Sequence, residues 1–179
     1  MRALLSASRA IDRLSAGAAF LADWLVLAAV LISAGNATIR YLFNMSSNGW
    51  LEIQWYMFGA LVFLGASHTL KMNEHVRVDL VYSAVSDRAR LWIDTIGFAV
   101  VFLPVVATLT LLSTPFFLNS WRQAEVSNNA GGLILWPIKL VLPLGFLLLL
   151  LQGVSELVKR IGALRGEVAI DAKYEKPLQ

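Results

Sequence analysis

The sequence predicts an all-α integral membrane protein with four transmembrane helices and a short interfacial amphipathic helix between helices two and three. Three observations support this. Four apolar stretches, Trp24 to Phe43, Leu51 to Leu70, Trp92 to Leu118 and Pro137 to Leu157, fill most of the 179 residues, and each is long enough to cross a hydrocarbon core of roughly 30 Å. Of the 15 Lys and Arg residues, 12 lie in the N-terminal tail, between stretches two and three or after stretch four, and the other side receives only Arg40, Arg122 and Lys139. The positive-inside rule therefore places both termini and the middle connection in the cytoplasm. All six tryptophans, Trp24, Trp50, Trp55, Trp92, Trp121 and Trp136, lie near stretch ends, where an amphipathic ring sits at headgroup level. The chain divides into a cytoplasmic amphipathic N-terminal segment (1–23), a four-helix membrane domain (24–160) and a cytoplasmic mobile tail (161–179).

In the N-terminal segment, Leu4, Leu5, Ile11 and Leu14 alternate with Arg9, Asp12, Arg13 and Ser15 at helical spacing, the pattern of a helix lying along the inner surface. In span one, Ala29, Ser33 and Ala37 form a face of small residues on which a second helix can approach closely. Span two opens on Trp50, Glu52, Trp55 and Tyr56 and closes on Ser67, His68, Thr69 and Lys71, with Gly59 and Gly65 offering close packing between them. Asp79 to Val85 reads as the short interfacial helix. Ser86 and Asp87 then supply an N-cap and a first-turn acid for a helix reaching Leu118. That helix is longer than a straight crossing needs, and Pro104 gives a specific reason for it to kink. In the following outer connection, Asn128, Asn129, Gly131 and Gly132 predict an exposed bend. Trp136 and Pro137 restart the chain as a helix, along which Gln152 and Glu156 stand one turn apart.

Several function classes are excluded. The net charge of +3 is weak evidence for a nucleic-acid partner in any chain, and the membrane topology already explains where the cations sit. With no cysteine, neither a disulfide nor a thiolate metal site is available. The sequence has no Gly-rich Lys-Ser or Lys-Thr loop of a nucleotide motor. Nor does any span carry the midplane polar groups of an autonomous transport path.

The most specific string is His75-Val76-Arg77-Val78-Asp79-Leu80. With Trp50-x-Glu52-x-x-Trp55 upstream, and Glu125-x-Ser127, Gly131-Gly132 and Trp136-Pro137-x-Lys139 downstream, it resembles the small membrane subunit of tripartite ATP-independent periplasmic (TRAP) transporters. The resemblance spans residues 20–160 and rests on the ordered set rather than on one motif. It implies a bacterial inner-membrane system in which a periplasmic substrate-binding protein delivers a small organic acid to a two-subunit membrane complex driven by a sodium gradient. The large subunit carries the moving transport domain. The small subunit is a four-helix scaffold among membrane lipids, with no enzymatic activity and no cofactor of its own.

Within that frame, His75, Arg77 and Asp79 read as an anchor that fixes the turn after span two. Trp50, Glu52, Trp55, Trp136 and Lys139 are candidates for the partner interface, Glu52 being either a buried partner of the large subunit or a solvated acid at the outer boundary. Arg122, Glu125 and Ser127 are candidates for docking the binding protein, with local capping as the other role for the last two. A haem-bearing four-helix membrane anchor of a respiratory enzyme is the alternative. Against it, the two histidines, His68 and His75, both lie near the inner end of one span, a poor arrangement for bis-histidine ligation.

Overall fold

The computed structural model describes residues 2–73 and 85–168. His75, Arg77, Asp79, most of the interfacial segment Asp79 to Val85 and the end of the C-terminal tail lie outside the described residues. The rest is helical: α1 (Arg2–Phe43), α2 (Asn48–Met72), α3 (Asp87–Arg122) and α4 (Trp136–Leu164). Among the described residues the only extended pairing is a single antiparallel bridge between Val126 and Ile134.

No break separates the amphipathic N-terminal segment from the first apolar stretch. Both belong to α1, whose 42 residues give a rod of about 60 Å at 1.5 Å per residue, twice the hydrocarbon thickness. No proline interrupts it, and its end is set by Asn44 at φ 52. A left-handed residue cannot continue the helix, and asparagine tolerates that conformation. Asn73, at φ 62, ends α2 in the same way, its amide bonding back to the Leu70 carbonyl at 3.1 Å.

Three helices, α1, α3 and α4, are both long and apolar enough to cross a membrane. The 25 residues of α2 would reach about 37 Å. Its apolar run, however, is shortened by Glu52 and Gln54 at one end and by Ser67, His68, Thr69 and Lys71 at the other.

The kink expected at Pro104 takes the form of a register change. α3 is α-helical over Asp87–Ile96, π-helical over Gly97–Phe102, and α-helical again over Leu103–Arg122. Proline has no N–H to close the turn behind it, and the wider π turn ahead of it redistributes the carbonyls that this N–H would have engaged. Ser86 occupies the N-cap position of α3 without a side-chain cap bond. Asp87 instead pairs with Arg90 at 2.8 Å.

α4 is the central helix. It packs on α1, α2 and all three parts of α3, and α1 also packs along α2. Close approach depends on two glycines of α4: a Cβ at Gly145 would come within 2.9 Å of the Phe63 carbonyl oxygen, and one at Gly153 would run into the Phe102 ring. Of the two glycines expected to pack closely in α2, Gly59 does so against Ile138. Gly65 faces open space, with nothing within 4 Å of an added Cβ. In the small-residue face of α1, Ala29 is buried whereas Ser33 and Ala37 are exposed. The outer face of α3 is apolar and open, with Val100, Leu111 and Leu112 each about two-thirds or more exposed. Its threonines Thr108, Thr110 and Thr114 are satisfied within the helix, each bonding a carbonyl four residues back at 2.8 Å, as an apolar solvent requires.

Candidate functional site

The polar residues of the bundle gather at its two ends. The end opposite the N-terminus is organised by the connection 123–135, which folds as a small hairpin rather than an open bend. Ala124 and Gly131 adopt positive φ values of 45 and 70, the second of which suits glycine in particular. The amides of Ser127 and Leu135 donate to the carbonyls of Leu133 and Glu125, each at 2.9 Å, and the Gly132 amide closes the tip onto the Asn129 carbonyl at 2.9 Å.

The hairpin encloses the Glu52 carboxylate from the first turns of α2. One carboxylate oxygen accepts the Ser127 hydroxyl and the Asn129 side-chain amide, the latter at 2.6 Å. The other accepts the Leu133 backbone N–H at 2.7 Å. Glu52 is 7% exposed, and a charge so covered is stable only when donors replace its water. Tyr56, one turn further along α2, donates to the Ile134 carbonyl at 3.3 Å.

A second clasp joins the hairpin to α3 and α4. Lys139 forms an ion pair with Glu125 and lies 4.3 Å from the centroid of the Phe116 ring. The Lys139 ammonium hydrogen-bonded to Glu125 holds that carboxyl below its ordinary value near 4.5. Trp136 meets Trp121 edge to face, with ring centroids 4.5 Å apart.

Of the residues singled out in the sequence, the structure thus brings Glu52 together with Ser127, and Glu125 with Lys139, while Trp136 packs at the same junction. Trp50, Trp55 and Arg122 stand exposed on the surface and join neither clasp.

The other end carries a larger network that sequence reading did not assemble. Gln152, fully buried, is its hub. Its side-chain amide donates to Asp12 at 2.9 Å and to Glu156 at 3.1 Å, and its oxygen accepts the Ser15 hydroxyl at 2.7 Å. Lys159 bridges Asp12 at 2.9 Å and Glu156 at 2.7 Å. Ser8 and Ser155 share a 2.6 Å hydrogen bond. Arg160 binds Glu156 at 2.9 Å and Asp94 of α3 at 3.4 Å, with its guanidinium 4.3 Å from the Phe98 ring centroid. Lys71 reaches from α2 to the Asp12 carbonyl at 3.4 Å.

All four helices are joined at this end. The signal was present: Gln152, Ser155, Glu156, Lys159 and Arg160 recur at helical spacing on a leucine-rich helix, and Ser8, Asp12 and Ser15 do the same on α1. What the spacing does not show is that the two polar faces meet, since the residues involved stand about 140 positions apart.

Chemically, the carboxylates at both ends are held in clamps of hydrogen bonds and ion pairs. Each buried carboxylate is matched by fixed donors, and no group of three or more His, Asp or Glu among the described residues is arranged to hold a metal. Between the clamps the helices present apolar surface.

No curated protein and no solved structure matches the chain. A family model does: that of the tripartite ATP-independent periplasmic transporters, DctQ component, over residues 29–163. The matched region begins within α1 and closes at the Gln152 network, taking in the Glu52 clasp, the hairpin and the whole of α2, α3 and most of α4. With three-quarters of its length matched and its helices converging on one apolar bundle, the chain belongs to the DctQ component family of the TRAP transporters.

Proposed function

We propose that this chain is the scaffolding small permease subunit of a TRAP system, holding the large membrane subunit in a fixed frame while that subunit moves a small organic acid on a sodium gradient. In this reading α2 is the fourth crossing, the protein resides in the bacterial inner membrane, and both termini are cytoplasmic. The Gln152 network then lies at the inner boundary and the Glu52 hairpin at the periplasmic one.

The observation that carries the scaffold reading is the placement of polarity. Transport sites need discontinuous helices and polar groups near the midplane, whereas here ion pairs and buried amides lock both ends of the bundle. A frame tied at both ends resists the rocking or sliding that a carrier requires.

The same geometry divides the docking candidates. Glu125 and Ser127 are occupied in shaping the hairpin, and they act on the periplasmic binding protein through its shape. Arg122 and Trp50 are free to touch that protein directly. Charge reversal at Arg122 slows uptake more at low salt than at high salt, as expected for steering between charged surfaces.

The reading is tested by isolating the chain from native membranes in mild detergent. It copurifies with a much larger polytopic protein, and a chain isolated alone under those conditions would contradict the scaffold.

A further inference from the structure

We propose that the outward groove between α1 and α2 seats a transmembrane helix of the large subunit, one that presents a cationic or donor group towards Asp23 and an anionic or acceptor group towards Arg40. This rests on the scaffold reading and adds which face carries the partner and what chemistry it meets.

Two cavities lie along this groove. One of about 460 Å³ is bordered by Ala19, Ala22 and Asp23 of α1 and Gly65, His68 and Thr69 of α2. The other, of about 780 Å³, is bordered by Ser33, Asn36, Ala37 and Arg40 of α1 with Leu51 and Gln54 of α2. Ala19, Ala22 and Asp23 are followed eighteen residues later by Ala37, Arg40 and Tyr41, about five full turns, so both cavities open on the same face of α1. Leu51 and Thr69 are likewise eighteen apart on α2. The same helical spacing puts Val26, Val30 and Phe58, all exposed, between the two cavities. The groove is therefore apolar along its middle and polar at both ends.

Two features distinguish this face from lipid-facing surface. Asp23 and Arg40 are exposed on it, and neither side chain has a hydrogen bond or ion pair with any described residue. Long cationic side chains can snorkel, but a short aspartate at the edge of an apolar span is better matched by a partner. The lining is small where a helix would approach, with Ala19, Ala22, Gly65 and Ala66 together, and Gly65 has nothing within 4 Å of an added Cβ. Small residues beside polar groups are the composition of membrane helix interfaces. By contrast, between its two ends the exposed face of α3 is built from Val100, Val101, Val105, Leu111 and Leu112, and the exposed Thr108 and Thr114 there bond carbonyls of their own helix, as acyl chains require.

A photoreactive benzoylphenylalanine, placed singly at Val30, Val62, Val105 or Leu112 and irradiated in native membranes containing the assembled transporter, tests the assignment. Val30 and Val62 give a covalent product containing the large subunit, and Val105 and Leu112 give none. Asp23→Asn and Arg40→Gln each lower recovery of the two-subunit complex about three- to fifteenfold, the span that interhelical polar contacts in membranes support, while Val105→Ala leaves it unchanged. Adducts with the large subunit from the α3 positions, or lipid adducts alone from Val30 and Val62, would overturn the groove assignment while leaving the scaffold reading in place. Failure of the unmodified chain to copurify with any large membrane protein would overturn both.

Discussion

At the scale of single residues, two side chains hold the ends of the bundle, and each can be removed with a distinct consequence. Glu52 is the common acceptor for Ser127, Asn129 and the Leu133 amide. Replacing it with alanine strands three donors at once, whereas glutamine keeps one oxygen. In Glu52→Ala, amide exchange at Ser127 and Leu133 accelerates by roughly tenfold or more as the hairpin opens locally, and in Glu52→Gln it rises less. Unchanged exchange in the alanine variant would show that the hairpin stands without its carboxylate. Glu125 adds a pH dependence whose sign is fixed. Its carboxyl lies below the ordinary value in the folded chain, so the Lys139 pair contributes fully above about 4.5 and is lost as pH falls through the lowered value. Hairpin exchange is therefore flat from pH 5 to 8, after correction for intrinsic rates, and rises only in stronger acid. At the other end, Gln152→Leu keeps volume but leaves Ser15 and Asp12 short of a partner. A cost of about 1–3 kcal/mol lowers the melting temperature in detergent by roughly 3–10 °C. Glu52 and Gln152 both stood out in the sequence as polar residues at the ends of apolar helices, and so did Ser127, but the pairing of Glu52 with Ser127 and of Gln152 with Ser15 and Asp12 did not. Glu52 and Ser127 are 75 positions apart and Ser15 and Gln152 are 137, and only the antiparallel packing of the helices brings them together.

At the scale of elements, hydropathy made the helices legible because a run of twenty apolar residues has few alternatives to a membrane helix. α2 is less plain for a physical reason: the polar residues at its ends that depress its hydropathy are the ones that clamp it to its neighbours, Glu52 to the hairpin and Lys71 to α1. Its crossing is tested with single cysteines in a chain that has none. With an impermeant maleimide added to spheroplasts, Ser46→Cys and Asn129→Cys are labelled and Ser86→Cys is spared. Labelling of positions 46 and 86 alike would remove α2 from the set of crossings. The register change in α3 was only half legible. Pro104 marks the place, but whether a proline produces a bend or a π turn depends on what lies alongside, and here Phe98 must face Arg160 of α4. Deleting Val101 would restore a continuous α-helical register and rotate the start of α3 by about 100°. This pulls Asp94 and Phe98 away from Arg160, and complex yield falls well below that of a Val101→Ala control.

At the scale of the whole molecule, polarity sits at the two ends of a bundle whose middle is apolar. That division follows from the cost of unpaired polar groups in hydrocarbon, and among the described residues it leaves the helices tied together at both ends of the bundle. The family match makes it the small component of a tripartite transporter, and the proposed framing role rests on the clamps at the two ends. The most direct test is uptake by reconstituted liposomes under an inward sodium gradient. Liposomes holding this chain alone accumulate no organic acid, whereas those holding it with the large subunit accumulate one when the periplasmic binding protein is added. Sodium-driven accumulation by the chain alone would contradict the account.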